Sequence, residues 1–309
     1  MTSDTRPRKT RENQGWLWDS TAWNGFPFRK DDIVVATYAK TGTTWMQQIV
    51  LQLIFDGAEI ENISGHSPWL DCRLPPLQEK LDRLAAQTHR RCIKTHLALD
   101  CLVYNPDIKY IYVARDGRDV AWSAHNHYHN MSDTLINAAL DAPGNKRIPD
   151  PRPGPDVHAF YRTWIAGQFD IGGGKSPDFF DHVRGWWDAR ETPNILLVHY
   201  NDLVADLPGQ IRRIGAFLGI EPSNWDTVTT HCTFDYMKEN AVRIVPFGEI
   251  GFVGGSRTFI NKGTNERWRD VLGEAEVRAY RQRAEDRLGP ACAAWLELGW
   301  LGLETRPRK

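Results

Sequence analysis

Residues 38–45 read Tyr-Ala-Lys-Thr-Gly-Thr-Thr-Trp, which puts a lysine, a glycine and three threonine hydroxyls in one short stretch. Residues 32–37 (DIVVAT) before it form a β-branched run. After it, Trp45, Met46, Ile49, Val50, Leu53 and Ile54 make one wide helical stripe. The stretch therefore leads from a strand into a helix N-terminus, where unpaired amides and the positive dipole end favour an anion. Gly42 lets the backbone approach that anion closely, Lys40 supplies a point charge, and Thr41, Thr43 and Thr44 supply donors. A strand–helix turn capped by threonine, with a solvated lysine, has the same composition. A Walker A loop is excluded, because no Gly-x-x-x-x-Gly-Lys-Ser/Thr string occurs and Lys40 has no Ser/Thr directly placed to seat Mg²⁺.

Two further segments carry chemistry. Residues 109–114 (KYIYVA) read as a strand that runs into Arg115-Asp116-Gly117-Arg118, and Ser123 follows about two helical turns after Arg115. An arginine at a strand end with a hydroxyl on the next helix can hold phosphate by charge-assisted hydrogen bonds. An Arg–Asp surface cluster is the plainer reading, and Asp116 also stands where a metal-binding carboxylate would end a strand. Residues 92–97, Cys-Ile-Lys-Thr-His-Leu, place His96 just beyond a short strand (91–95), on the side where open α/β sheets bind ligands. A neutral imidazole there suits removal of a hydroxyl proton near neutral pH, although ten histidines in the chain leave room for a structural one.

The elements that must position these groups alternate. Strands at 32–37, 91–95, 109–114 and 195–200 (ILLVHY) are interspersed with helical stretches at 43–55 and 116–129 and followed by one at 207–218, which predicts an α/β fold with a central parallel sheet flanked by helices. With 309 residues and no evident linker, we expect a disordered tail over 1–15 and a single domain over 16–305. Residues 16–28 are rich in aromatics and read as an arm packed on the domain body. Residues 141–156 hold five prolines and read as an irregular loop that covers or shapes a pocket. The formal charge of −1 argues against nucleic acid or an anionic membrane as a partner. Five scattered cysteines without Cys-x-x-Cys spacing exclude a disulfide framework. With no apolar leader and no run long enough to span a bilayer, they point to a cytoplasmic protein. Among His125, His127 and His129, helical spacing lets only His125 and His129 share a face, so no metal site is expected.

Residues 38–45 resemble the 5′-phosphosulfate loop of the cytosolic sulfotransferases, enzymes that use 3′-phosphoadenosine 5′-phosphosulfate (PAPS). Ala39 stands in place of the usual proline and Thr41 in place of a common serine. The resemblance implies a P-loop-like sulfotransferase fold. It assigns Lys40, Thr41, Gly42, Thr43, Thr44 and Trp45 to the phosphosulfate, and Arg115 and Ser123 to the 3′-phosphate. His96, in Lys-Thr-His-Leu, becomes the general base, with Lys94 assisting. Tyr200 and Phe234 resemble the adenine contacts, though either could be a plain core aromatic, and Cys232 replaces a common threonine. Residues 259–268 resemble the segment that closes over the 3′-phosphate. There Asn261, Lys262 and Gly263 stand where Arg-Lys-Gly is usual, with Arg257 or Arg267 as candidate substitutes for the arginine. The implied reaction moves a sulfuryl group from PAPS to a hydroxyl of a small aromatic or hydrophobic acceptor without a metal. The alternatives are a metal-dependent nucleotide or small-molecule kinase on a related sheet, or a non-catalytic nucleotide-binding module. Residues 269–274 lack the dimerisation string of many relatives and leave the oligomeric state open.

Overall fold

Short β-branched and aromatic runs form four strands, β1 (Ile33–Thr37), β2 (Cys92–Thr95), β3 (Lys109–Ala114) and β4 (Ile195–His199). In the computed structural model, which describes residues 6–145, 148–169 and 177–305, every strand pairing is parallel and the order is β2-β1-β3-β4. Ile33 stands opposite both Cys92 and Lys109, and Tyr110 opposite Ile195. The flanking helices that matter for the site are α1 (Thr43–Ile54), α2 (Gly117–His129), α3 (Phe179–Asp188), α4 (Leu207–Leu218), α5 (Glu274–Leu288) and α6 (Pro290–Glu304).

The period-two alternation of strands divides each one between two cores. Ile33, Val35, Ile111 and Val113 face one side and pack with Met46, Ile49 and Val50 of α1 and Ile211 and Ile214 of α4. Val34, Ala36, Tyr110 and Tyr112 face the other side, with Trp186 of α3, Tyr280 of α5 and Trp295 of α6. Tyr112 and Trp186 stack with ring centroids 5.1 Å apart. The chain leaves β1 for β2 on one flank and then crosses to β3 on the other. The carboxyl ends of β1 and β3 therefore border the switch point where open α/β sheets bind ligands. The loop after β1 and Arg115 after β3 both emerge there.

The expected fold class is found, with element boundaries shifted by a residue or two. Helices Asp133–Leu140, Val157–Ile165 and α3 are additional to the elements read from the sequence. The N-terminal tail departs from expectation. Residues 1–5 lie outside the described residues, but the Thr10 amide donates to the Asp100 carbonyl at 2.8 Å and the Asn13 amide to Ser20 Oγ at 2.8 Å. Discrete hydrogen bonds hold this stretch, and they leave no periodic signature. The aromatic arm does pack down: Trp23 is fully buried and donates its indole N–H to Asp71 Oδ1 at 3.1 Å. Residues 141–156, of which 146 and 147 are outside the described set, form an irregular segment. His125 and His129 stack at 5.7 Å and approach the carbonyls of Gly154 and Pro153, so they hold this loop.

Candidate active site

A cavity of about 460 Å³ opens at the carboxyl ends of β1, β2 and β3, a volume suited to small-molecule ligands. Lys40, Gly42, Thr43, Thr44, Trp45, Lys94, His96, Arg115, Ser123, Tyr200, Phe234, Asn261, Lys262 and Gly263 all line it. Of the residues predicted to form a site, Thr41 alone turns away. It is wholly buried and its hydroxyl donates to the Tyr38 and Val113 carbonyls at 2.9 and 2.8 Å, so it braces the loop and offers no donor to a ligand.

The turn into α1 is built for an anion. Gly42 is the N-cap with φ 111°, so the helix begins without a side chain on its first amides. A Cβ at Gly42 would stand 2.9 Å from the Tyr200 ring, so both the backbone angle and the space demand glycine. Lys40 is also left-handed, with φ 75°, a conformation that costs energy for a residue with a side chain. Its Nζ lies 3.0 Å from His127 Nδ1. Burial, reinforced by the positive charges of Lys94 and Arg115, pushes the Lys40 ammonium down to about 7. Anionic phosphate would relieve that frustration.

His96 has its Nδ1 2.9 Å from the Thr37 carbonyl. A carbonyl only accepts, so Nδ1 carries the hydrogen and Nε2 is left with its lone pair. The Thr37 hydroxyl lies 2.9 Å from the same nitrogen and 2.7 Å from Thr43 Oγ1, linking the imidazole to the first turn of α1. Behind His96, the His182 Nε2–H donates to the His96 carbonyl at 3.2 Å, and the Tyr112 hydroxyl lies 3.1 Å from His182 Nδ1. Trp69 packs edge-on against the His96 ring at 4.7 Å. Burial, then the Lys94 charge, holds His96 well below the ordinary imidazole range, so it is neutral at neutral pH. Lys94 sits over the Trp69 ring at 4.2 Å, and burial lowers it to about 8.

Arg115 ties three walls together. Its Nε donates to Asn265 Oδ1 at 2.9 Å and its Nη2 to the Thr264 carbonyl at 3.1 Å, while its guanidinium lies 4.2 Å over the Tyr200 ring. Arg118, by contrast, is buried on Asp116 and Glu297 and stacks on Trp268 at 4.0 Å. Asp116 is thereby engaged and does not line the cavity. Trp45 packs on Tyr200 at 5.2 Å and donates its N–H to the Cys232 carbonyl at 2.7 Å. Gly263, at φ 66°, carries the returning segment so close to Phe234 that a Cβ would enter that ring. Of the two candidates for the arginine missing at Asn261, Arg267 lines the cavity, while Arg257 is exposed and outside its lining.

The sequence reading missed Thr37, Asp119 and the aromatic wall of Phe247, Phe252 and Phe259, and it weighed His127 only as a metal ligand. Helical spacing held a signal for two of them, since Asp119 and His127 flank Ser123 at four-residue steps on one face of α2. Burial raises Asp119 to about 6, and its carboxylate accepts the Glu266 amide at 2.8 Å. Among the described residues, no group of three or more His, Cys, Asp or Glu side chains stands together to hold a metal ion.

An anion cradle at a helix N-terminus, a second basic anchor and a neutral imidazole around one apolar cavity define a group-transfer enzyme with an anionic donor. The sulfotransferase domain family matches this chain over residues 30–290, and the protein belongs to it. It is 32% identical to a glycolipid sulfotransferase of Mycobacterium bovis, over 93% of this chain and 94% of that one. It is 29% identical to sulfotransferase 1A1 of Rattus norvegicus, over 86% and 85% respectively. Its fold resembles that of retinol dehydratase in complex with androsterone and the inactive cofactor PAP, with a TM-score of 0.67, 25% identity, and coverage of 87% of this chain and 83% of that one. The chain is thus a sulfotransferase, with the single α/β domain of that family.

Proposed function

We propose that the protein transfers the sulfuryl group of PAPS to a hydroxyl on a hydrophobic small molecule, with His96 as general base. The observation that carries this reading is the His96 ring: neutral, with Nδ1 pinned to the Thr37 carbonyl and Nε2 left as the proton acceptor, beside the α1 cradle. The residues present fit the donor nucleotide. The uncapped α1 amides, Lys40, Thr43 and Thr44 suit the 5′ end, and Arg115, Ser123, Lys262 and Arg267 suit a 3′-phosphate. Trp45, Tyr200 and Phe234 offer faces to a purine. Asn261 supplies an amide where a guanidinium was expected, so Arg267 takes over that charge.

In the transfer, His96 Nε2 takes the hydroxyl proton as the acceptor oxygen forms its bond to sulfur. The bond from sulfur to the bridging phosphate oxygen breaks, and Lys40 and the α1 amides stabilise the negative charge left there, releasing 3′,5′-phosphoadenosine. Donors already aimed at that developing charge lower the barrier without reorganisation. Lys94 adds positive charge near the sulfuryl oxygens. The balance of charge uses the chain's own groups and asks for no metal. Phe247, Phe252, Phe259 and Trp69 make the acceptor end apolar. A hydroxyl on a hydrophobic body suits that end, the chemical type of the glycolipid and steroid named for the relatives.

Replacement of His96 by alanine tests the assignment. Turnover should fall by about 10²- to 10⁴-fold, the range for loss of a general base. Calorimetric affinity for 3′,5′-phosphoadenosine should stay close to wild type. Undiminished turnover would remove His96 from the base role.

A further inference from the structure

One face of α2 carries Asp119, Ser123 and His127 into the cavity, and of these His127 has no part in the transfer described above. Its Nδ1 lies 3.0 Å from Lys40 Nζ. With the anionic donor nucleotide beside it Lys40 is held as an ammonium, which has only N–H to give, so Nδ1 accepts and the ring hydrogen sits on Nε2. Among the described residues Nε2 has no partner. Around it the wall is aromatic, with Phe252 and Phe259 at centroid distances of 4.6 and 5.6 Å. An N–H in such a wall is a polar point in an apolar surface. A ligand without a matching oxygen leaves that donor desolvated and unpaired, which is how buried polar groups discriminate between ligands.

We propose that His127 selects the acceptor: its Nε2 hydrogen donates to a second oxygen on the acceptor, besides the hydroxyl that is sulfated, so that hydroxy ethers, diols and sugar-bearing alcohols are favoured over apolar alcohols with a single oxygen. This deepens the proposed function and rests on it. His96 and His127 then read two oxygens of one molecule, the first through a lone pair and the second through a hydrogen. Lys40 sets the direction of the second by occupying Nδ1. Replacing His127 also removes the partner of Lys40, and that effect reaches every acceptor alike. Relative rates between acceptors therefore separate selection from the support of Lys40.

The test compares kcat/KM for phenol with that for its ortho-, meta- and para-methoxy derivatives, each carrying one added oxygen that only accepts hydrogen bonds. Wild type should favour at least one isomer by roughly tenfold, the scale of one well-placed hydrogen bond. His127→Phe should erase that preference, and His127→Gln, which keeps an N–H, should retain part of it. Calorimetry with 3′,5′-phosphoadenosine reports whether each variant is folded. A wild type without preference, or a Phe variant with the wild-type ratio, overturns the assignment of His127 alone. Absence of sulfuryl transfer to every acceptor, with the nucleotide still bound, overturns the proposed function and this inference with it.

Discussion

Thr37 is small, wholly buried and part of no motif, yet its carbonyl decides which nitrogen of His96 can act as a base. The imidazole it holds is depressed by burial and by the Lys94 charge, so His96 stays unprotonated down to a pH well below the ordinary imidazole range. The acid limb of kcat/KM should accordingly fall below pH 6.5, and a limb at or above that value would show a solvated histidine. Lys40 carries the opposite consequence. At about 7 its ammonium is half neutralised near physiological pH, and Lys94 at about 8 is close behind. Phosphate beside a lysine favours the charged form and raises its pKa, so binding 3′,5′-phosphoadenosine at pH 8 should take up protons. Calorimetry in buffers of different ionisation enthalpy measures that uptake, and Lys40→Met should reduce it. The same substitution should lower kcat by about 10²- to 10³-fold, as loss of one donor to a developing anion does.

Elements place these residues through backbone geometry that single glycines make available. Gly42 and Gly263 both have positive φ, and both stand where a Cβ would strike an aromatic ring, of Tyr200 and Phe234 respectively. Gly263→Ala should therefore weaken nucleotide binding at least tenfold while leaving the far-ultraviolet circular dichroism unchanged; wild-type affinity would show that the segment has room. Much at this scale was legible in the sequence. Residues 32–37 and 109–114 read as strands because their β-branched and aromatic side chains are buried on both faces. Residues 207–218 read as a helix because one stripe of it is apolar. Other features were hidden for physical reasons. Composition counts Thr41 as a donor and cannot show that its hydroxyl turns to two carbonyls. Phe247, Phe252 and Phe259 reach the cavity from a segment 118 to 130 residues after the end of α2, a convergence set by tertiary packing. Residues 10–13 are held by backbone donors and acceptors, which every residue type carries.

Over the whole molecule, two cores pack on opposite faces of the one sheet whose carboxyl edge carries the cavity. The N-terminal arm closes one side of it: Leu17 lines the cavity, and Trp23 anchors the arm to Asp71, which also accepts the Trp69 N–H at 2.7 Å. Trp23→Ala should cost about 3–5 kcal/mol, as removal of a buried aromatic does, and appear as a lower Tm. Because Trp69 packs on His96, the same variant should also lose turnover. Arg115, held by the segment around Gly263, joins the opposite wall and draws the nucleotide-binding residues into one unit. The most direct measurement of the central claim is transfer of labelled sulfate from PAPS to a panel of phenols and hydrophobic alcohols in the presence of excess chelator. The account predicts sulfated product and one equivalent of 3′,5′-phosphoadenosine per transfer, undiminished by the chelator. No transfer to any member of the panel, or transfer that stops when divalent ions are removed, would contradict it.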